Sequence, residues 1–155
     1  MIAVNICNKM AVILIGLPGS GKSTFAEKYL TMCEIFSTDK YREKFTGSVE
    51  DQSQNKRVFQ TIYEDMRLAL EQGLNIVFDA TNVTKKERAE FIEMVRPYEY
   101  NIIGVAFHTN PDICIKRVEQ RGWNVDANAL ISKFQRRYVE PTLVEGFNTL
   151  INGDK

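Results

Sequence analysis

The sequence contains little of what would place it in several common protein classes. One histidine and three scattered cysteines among 155 residues do not have the spacing of a metal site or a disulfide framework. No apolar run approaches the length of a membrane span, and the apolar stretch within Met1–Met10 is too short for a signal peptide. The formal net charge is zero, so no overall positive field attracts nucleic acid. We therefore expect a cytoplasmic protein with reduced cysteines and no membrane partner.

What is present is a regular alternation of apolar strand candidates and helical periods. Hydrophobic residues make up 44% of the chain and charged residues 26%, as in ordinary globular proteins, and the length suits one domain over residues 1–155. The alternation predicts an α/β fold whose layers are a central parallel sheet of about five strands and the helices on its two faces. We place strands at 11–15, 34–37, 75–79, 101–107 and 147–151, and helices at 24–32, 40–45, 54–72, 84–96, 112–121 and 126–139. Thr84-x-x-Glu87 resembles a capping box, Pro111 suits the first turn of the helix that follows it, and Asp126 is a candidate cap for the last helix.

A glycine-rich stretch, Gly16–Thr24, follows the first strand and leads into the first helix. It reads GLPGSGKST, which matches the P-loop pattern G-x-x-x-x-G-K-[ST] in the strand–loop–helix context that the pattern requires. Its backbone N–H groups and the helix start favour a polyphosphate, so ATP is the predicted cofactor. Lys22 is expected to reach the β- and γ-phosphates, and Ser23 to bind Mg²⁺. The predicted ATP-binding residues are Gly16, Pro18, Gly19, Ser20, Gly21, Lys22, Ser23 and Thr24.

Phosphoryl transfer also needs a base beside the accepting hydroxyl, and Asp39 is the candidate. It follows the second strand, and in open parallel sheets ligands bind at the carboxyl ends of the strands. The alternative role for Asp39 is to cap the helix at 40–45. Arg42 lies one helical turn further on and is a candidate for binding a phosphate of the acceptor, or else a solvated surface arginine.

Asp79 ends a buried strand, the arrangement of a Walker B aspartate that orients Mg²⁺. A strand-end aspartate that only forms a turn is the other interpretation. Thr81 and Asn82 follow it, and they either bind substrate or stabilise the turn.

Two arginines at helical spacing, Arg117 and Arg121, precede Gly122. They lie on one helix face, and we expect them to belong to a lid that stabilises charge on the transferring phosphate. Surface ion pairs are the alternative. Residues 116–137 contain six basic and two acidic side chains, an excess that suits an anionic ligand. Trp123 either stacks on a base or packs in the core.

These segments together resemble the polynucleotide 5′-hydroxyl kinase family, with relatives among AAA-type ATP-binding and zeta-toxin-like proteins. The family belongs to the adenylate-kinase-like group of P-loop folds, so the resemblance implies a helical lid over the sheet. A departure is Thr38-Asp39, where many such kinases have Arg-Asp. The matching segments are Gly16–Thr24, Ser37–Arg42, Asp79–Asn82, Arg117–Gly122 and Tyr138–Phe147, the last containing Pro-Thr-x-x-Glu-Gly-Phe.

The resemblance implies that Asp39 is the general base on a 5′-hydroxyl and that Arg42 holds the acceptor's phosphate. It also implies that Arg117 and Arg121 are lid arginines. We therefore expect an ATP- and Mg²⁺-dependent kinase whose first-choice acceptor is a 5′-hydroxyl nucleic-acid end. The alternatives are a small-molecule kinase for a nucleoside or sugar, and a non-catalytic nucleotide-binding switch.

Overall fold

The computed structural model of the protein describes residues 9–154. The prediction about a signal peptide concerns mainly residues 1–8, which lie outside this range. Five parallel strands form a central sheet in the order β2-β3-β1-β4-β5, which confirms the predicted fold class. The strands are β1 (Met10–Ile15), β2 (Glu34–Ser37), β3 (Ile76–Asp79), β4 (Asn101–Ala106) and β5 (Thr149–Asn152).

Six α-helices in the described part of the chain cover the sheet. They are α1 (Lys22–Tyr29), α2 (Thr38–Thr46), α3 (Asn55–Glu71), α4 (Lys85–Val95), α5 (Pro111–Gln120) and α6 (Ala127–Arg137). Short 3₁₀ turns cover Arg96–Tyr98 and Leu143–Glu145. None of the helices within residues 9–154 has the combination of length and apolar character that a membrane span needs.

The core has two sides because β1 is buried on both faces. Alternate residues of a strand point to opposite faces, and the continuous apolar run of β1 serves both. On one face Ile13 belongs to a cluster with Ile62 of α3 and Phe91 of α4. On the other face Leu14 packs in a cluster with Ala26 of α1. This three-layer packing fixes the carboxyl end of β1, from which the glycine-rich loop emerges.

A third apolar cluster joins the glycine-rich loop to α5 and α6. Leu17 of the loop packs with Cys114 and Val118 of α5, and with Ala127 and Ile131 of α6. The two helices therefore form a layer over the loop, which is the helical lid.

Local signals in the sequence correctly predicted several helix ends. Thr84 and Glu87 form the expected capping box at the start of α4, and Asp126 caps α6. Pro111 occupies the first turn of α5. Because caps depend on residues within one turn of each other, they can be read from sequence.

Several predicted boundaries were wrong by two or three residues. Helix α1 begins at Lys22 rather than at residue 24, and α6 ends at Arg137 rather than at residue 139. Helix α1 ends at Tyr29 rather than near residue 32, since Leu30 donates its N–H to Ala26 and a turn follows. Helix α2 begins at Thr38 rather than at residue 40. The last strand begins at Thr149, because Phe147 is buried in the core ahead of it instead of pairing in the sheet.

Candidate active site at the P-loop

The glycine-rich loop has the tight geometry that its glycines predict. Gly19 and Gly21 have φ of 77° and 98°, in the left-handed region that glycine adopts without strain. A Cβ on Gly19 would lie 2.8 Å from the Cys114 carbonyl oxygen, so α5 packs against the loop too closely for any side chain. Within the described residues no side chain caps α1, which leaves N–H groups at its start for an anion.

Lys22 lies inside the loop, and the residue as a whole is 8% exposed. Its Nζ donates to the carbonyl oxygens of Leu17 at 2.8 Å and Gly16 at 3.1 Å. Burial lowers the pKa of Lys22 to about 8, although the nearby carboxylates of Asp79 and Asp39 oppose this effect. A buried cation at the start of the helix is therefore available to a phosphate, which would compensate its charge.

Ser23 and Asp79 meet as the predicted metal pair would require. Ser23 Oγ donates to Asp79 Oδ2 at 2.6 Å. Asp79 is 6% exposed, and burial raises its pKa despite the Ser23 hydrogen bond and the Lys22 charge. A hydroxyl and one carboxylate are oxygen donors of the kind that Mg²⁺ uses together with phosphates and water. The donor set fits Mg²⁺.

Asp39 lies in the first turn of α2 and does not cap this helix, so the alternative role given for it does not apply. Ser37 is the capping residue, with Oγ accepting from Lys40 N at 3.5 Å. The Asp39 carboxylate instead accepts from Arg42 Nη1 at 2.9 Å, and it is 41% exposed. Arg42 also donates from Nε to Asn55 Oδ1 at 2.9 Å. The guanidinium is thus held between α2 and α3, which argues against the solvated surface arginine.

The two candidate residues in the turn after β3, Thr81 and Asn82, have different surroundings. Thr81 lines the same cleft as Asp39 and Lys22, and its carbonyl oxygen accepts from Gly16 N at 2.9 Å. Asn82 is 4% exposed and donates from Nδ2 to Leu14 O at 2.9 Å. Its side chain therefore stabilises the turn, which is the second of the two roles open to it from sequence.

The two lid arginines have different surroundings. Arg117 Nη1 donates to Gly19 O at 3.1 Å and so braces the loop from α5. Arg121 follows α5 and its guanidinium lies 5.1 Å from the Trp123 ring centroid. Gly122, directly after Arg121, has φ of 70°, so the chain bends there. The helical spacing places the two arginines near the loop without giving them the same contacts.

Two cavities meet at the P-loop. An inner cleft of about 110 Å³ lies between the loop, α2 and the lid, and contains Lys22, Asp39, Asp79 and Trp123 among its lining residues. An outer cavity of about 540 Å³ is lined by Thr24, Phe107 and Arg117, among others. Gly19, Ser20, Gly21 and Arg121 line both cavities. The loop therefore has room for a ligand on each side.

Sequence reasoning missed part of the inner cleft. The polar segment 46–53 leads from the end of α2 towards α3, and Val49, Glu50 and Gln52 within it line the cleft. Glu50 Oε2 also accepts from Asn124 N at 2.7 Å, which links this segment to the lid. Phe59 of α3 contributes an apolar wall. Nothing in the local sequence marks these residues, because their relation to the site depends on how α3 and the lid pack.

A second omission is Thr109, which follows β4. Its hydroxyl donates to Ser20 O at 2.8 Å and to Asp154 Oδ1 at 3.2 Å. The neighbouring His108 contacts Glu140 Oε1 through Nε2 at 2.8 Å and has no place in either cavity lining.

The pKa of Lys22 predicts that ATP affinity falls as the pH rises above 8. A bound phosphate favours the charged ammonium, so above pH 8 binding requires uptake of a proton, and affinity falls by up to about tenfold per pH unit. Calorimetric titration with ATP between pH 7 and pH 9.5 measures this. Lys22→Arg is the control, because arginine does not titrate in this range.

The same shift makes the opposite prediction for the protein alone. Unfolded chains hold the Lys22 proton up to the ordinary pKa of 10.5, whereas the folded chain releases it at about 8. The Lys22 contribution to the free energy of unfolding therefore rises with pH between 8 and 10.5. For the binding prediction, a wild-type ATP affinity that does not change between pH 7 and pH 9.5 would contradict the assignment of the lowered pKa to Lys22.

The parallel sheet, the loop geometry and the Ser23–Asp79 contact define a P-loop nucleotide-binding protein. The chain belongs to the AAA domain family (AAA_33), whose sequence profile matches residues 12–142. This is a P-loop kinase family that binds nucleotide, and its members act on nucleic acids and on small molecules.

Individual relatives span several chemistries. The chain is 31% identical over 128 residues to mouse 2′,3′-cyclic-nucleotide 3′-phosphodiesterase, covering 79% of this chain and 30% of that protein. It is 26% identical over 139 residues to L-seryl-tRNA(Sec) kinase of Methanococcus maripaludis, covering 85% and 53%. In the solved Pnkp1/Rnl/Hen1 RNA repair complex, one chain superposes with a TM-score of 0.68 and 21% identity, covering 88% and 48%. The chain thus spans about half or less of these proteins.

Proposed function

We propose that the protein is an ATP- and Mg²⁺-dependent kinase that transfers the γ-phosphate of ATP to a hydroxyl group. One observation carries this proposal: Asp39 lines the same cleft as Lys22 of the P-loop, and its carboxylate is not used to cap α2. A protein that only binds nucleotide has no need of an acceptor base beside the phosphate site.

The donor and the acceptor approach the loop from opposite sides in this proposal. The nucleoside of ATP occupies the outer cavity, whose walls include Phe107 and Tyr29. The accepting hydroxyl enters the inner cleft near Asp39. Because Gly19–Gly21 line both cavities, the phosphates lie between the two substrates, as direct transfer requires.

Each side chain has one task in the transfer. Asp39 accepts the proton of the attacking hydroxyl, and its ion pair with Arg42 keeps the carboxylate oriented. Lys22 and Arg121 stabilise negative charge on the transferring group. Ser23 and Asp79 would hold Mg²⁺, which supplies further charge neutralisation when it is bound. Arg117 supports the loop through Gly19 O.

The first-choice acceptor is the 5′-hydroxyl end of a nucleic acid. Phe59, Trp123 and Phe134 line the cleft, and aromatic rings stack on nucleobases without requiring a particular sequence. Residues 116–137 contain six basic and two acidic side chains, an excess that suits the phosphates following the terminal nucleoside, and Arg121 of this segment lines the cleft. The RNA repair and tRNA kinase relatives support this choice.

A small hydroxyl compound is the second candidate, favoured by the size and charge of the inner cleft. Its volume is about 110 Å³, and the Arg42 guanidinium is already paired with Asp39. A neutral nucleoside-like molecule would need no additional cation there.

Transfer of label from γ-labelled ATP to a panel of acceptors tests the proposal. The panel contains 5′-hydroxyl DNA and RNA oligonucleotides, nucleosides and sugars, with Asp39→Asn protein as the blank. Label on oligonucleotides supports the first choice, and label on small molecules alone supports the second. ATP binding without transfer to any acceptor would contradict the proposed kinase activity and favour a nucleotide-binding switch.

Replacing Trp123 by leucine separates acceptor binding from chemistry. Loss of stacking on one base costs roughly 1–3 kcal/mol, so the KM for an oligonucleotide should rise about fivefold or more while kcat is retained. Steady-state kinetics with Trp123→Phe as the control, which keeps an aromatic ring, measures the effect. Equal KM values in the leucine and phenylalanine variants would exclude a stacked base at this wall.

A further inference from the structure

Arg88 of α4 is a buried charged residue that the proposed chemistry does not use. It is 0% exposed, and it is the largest of the fully buried side chains in the described part of the chain. It lines neither of the two cavities at the P-loop. A buried charge is costly unless it is paired and hydrogen-bonded, so its contacts must compensate that cost.

The guanidinium of Arg88 has three hydrogen bonds, two to Glu145 and one to the turn that precedes α4. Nε donates to Glu145 Oε1 at 2.8 Å and Nη2 to Glu145 Oε2 at 3.3 Å. Nη1 donates to the Asn82 carbonyl oxygen at 3.1 Å. Glu145 Oε2 also accepts from Thr142 N at 2.8 Å, which fixes the carboxylate. Arg88 therefore joins the Pro-Thr-x-x-Glu-Gly-Phe segment to the turn after β3.

That turn is in direct contact with the start of the P-loop. Asn82 Nδ2 donates to Leu14 O at 2.9 Å, and Gly16 N donates to Thr81 O at 2.9 Å. Asn82 has φ of 48°, a left-handed conformation that asparagine adopts more readily than most other non-glycine residues. The carbonyl oxygen of this same residue is the one that Arg88 holds.

We infer that Arg88 and Glu145 are a positioning pair for the nucleotide site. The pair holds the turn at 80–83. This turn then fixes Gly16 at the start of the P-loop and keeps Thr81 in the cleft. The Pro-Thr-x-x-Glu-Gly-Phe segment lines neither cavity. Through Glu145 and Arg88 it nevertheless supports the turn that contacts the P-loop. The inference rests on the proposed nucleotide-binding function.

The double variant R88M/E145M tests the pair. Replacing both partners by methionine leaves no unpaired buried charge, so the chain is expected to fold with a Tm close to that of the wild type. The donor to Asn82 O is lost, and because small displacements at a site are amplified in binding and rate, the Kd for ATP should rise roughly tenfold. Amide hydrogen exchange at Gly16 and residues 80–83 should accelerate.

Two further variants complete the experiment. Arg88→Lys keeps the charge but cannot reach both Glu145 and Asn82 O, so it should weaken ATP binding and accelerate Gly16 exchange even if the double variant does not fold. Arg96→Lys is the control, since Arg96 pairs with Glu93 at 2.7 Å on the exposed face of α4 and its C-terminal turn. It should leave both measurements unchanged.

The outcomes separate this inference from the proposed function. A folded double variant with wild-type ATP affinity and wild-type exchange at Gly16 would overturn the positioning role. Failure of the wild-type protein to bind ATP would overturn the proposed function, and the exchange measurement on the protein alone would still decide whether the pair holds the loop.

Discussion

Replacing Lys22 by methionine is expected to lower kcat for phosphoryl transfer by about 10²- to 10³-fold, the loss seen when one charge-stabilising donor is removed from a transition state. The ammonium is the buried cation of the loop, and in the protein alone it is held by the carbonyl oxygens of Gly16 and Leu17. A phosphate would draw it away from these carbonyls. Label transfer under saturating ATP measures the effect.

The same variant should not destabilise the fold. Burial lowers the pKa of Lys22 to about 8, which means that the folded state disfavours its charge. An apolar side chain of similar length removes this penalty, so the Tm should stay level or rise. Lys44→Met, on the exposed side of α2, is the matched control and should retain full activity. An active Lys22→Met enzyme would contradict the assigned role of the loop.

Replacing Asp39 by asparagine is expected to lower kcat by about 10²- to 10⁴-fold, the usual contribution of a general base. The amide has the shape of the carboxylate and can still contact Arg42, so the cleft should keep its geometry. It cannot take up the proton of the attacking hydroxyl. ATP affinity should change little, because Asp39 lies on the acceptor side of the loop.

Glu43→Gln provides the control for Asp39→Asn. Glu43 is an exposed carboxylate one turn further along α2 and does not line the cleft. The same chemical change there should leave kcat and Tm unchanged. If Asp39→Asn transferred phosphate at the wild-type rate, another base would have to be found, or the reaction would proceed without one.

The features that the sequence predicted correctly are those contained in a short segment. The P-loop pattern places its glycines, its lysine and its hydroxyl within nine residues, so one loop and the first turn of α1 contain them all. The capping box at Thr84 and the cap at Asp126 are likewise local. The strands were recognisable because β1 and β3 are buried on both faces and so read as continuous apolar runs.

The features that the sequence did not reveal depend on contacts between distant segments. Whether Asp39 caps α2 was decided by Ser37, which begins the helix earlier and frees the carboxylate for Arg42. The link from Glu50 to Asn124 joins residues 74 positions apart. No local pattern distinguishes such a glutamate from a solvated one, because the contact arises only when the lid packs over the cleft.

Arg88 is the clearest case of a residue whose importance only the fold reveals. In sequence it stands among Lys85, Lys86 and Glu87 on a charged helix start, where solvent exposure is the ordinary expectation. Packing of the segment that contains Glu145 against α4 buries it completely. The hydrogen bond from Arg88 to Asn82 O then links that segment to the P-loop.

In the proposed reaction, one cleft brings the γ-phosphate of ATP to a hydroxyl beside Asp39. Single-turnover transfer, with protein in excess over γ-labelled ATP and a 5′-hydroxyl oligonucleotide present, tests this most directly. We expect label to appear on the oligonucleotide in step with ADP formation for the wild type, and Asp39→Asn to bind ATP but to form this product about 10²-fold or more slower. Consumption of ATP with all label released as inorganic phosphate, equally in both proteins, would contradict it.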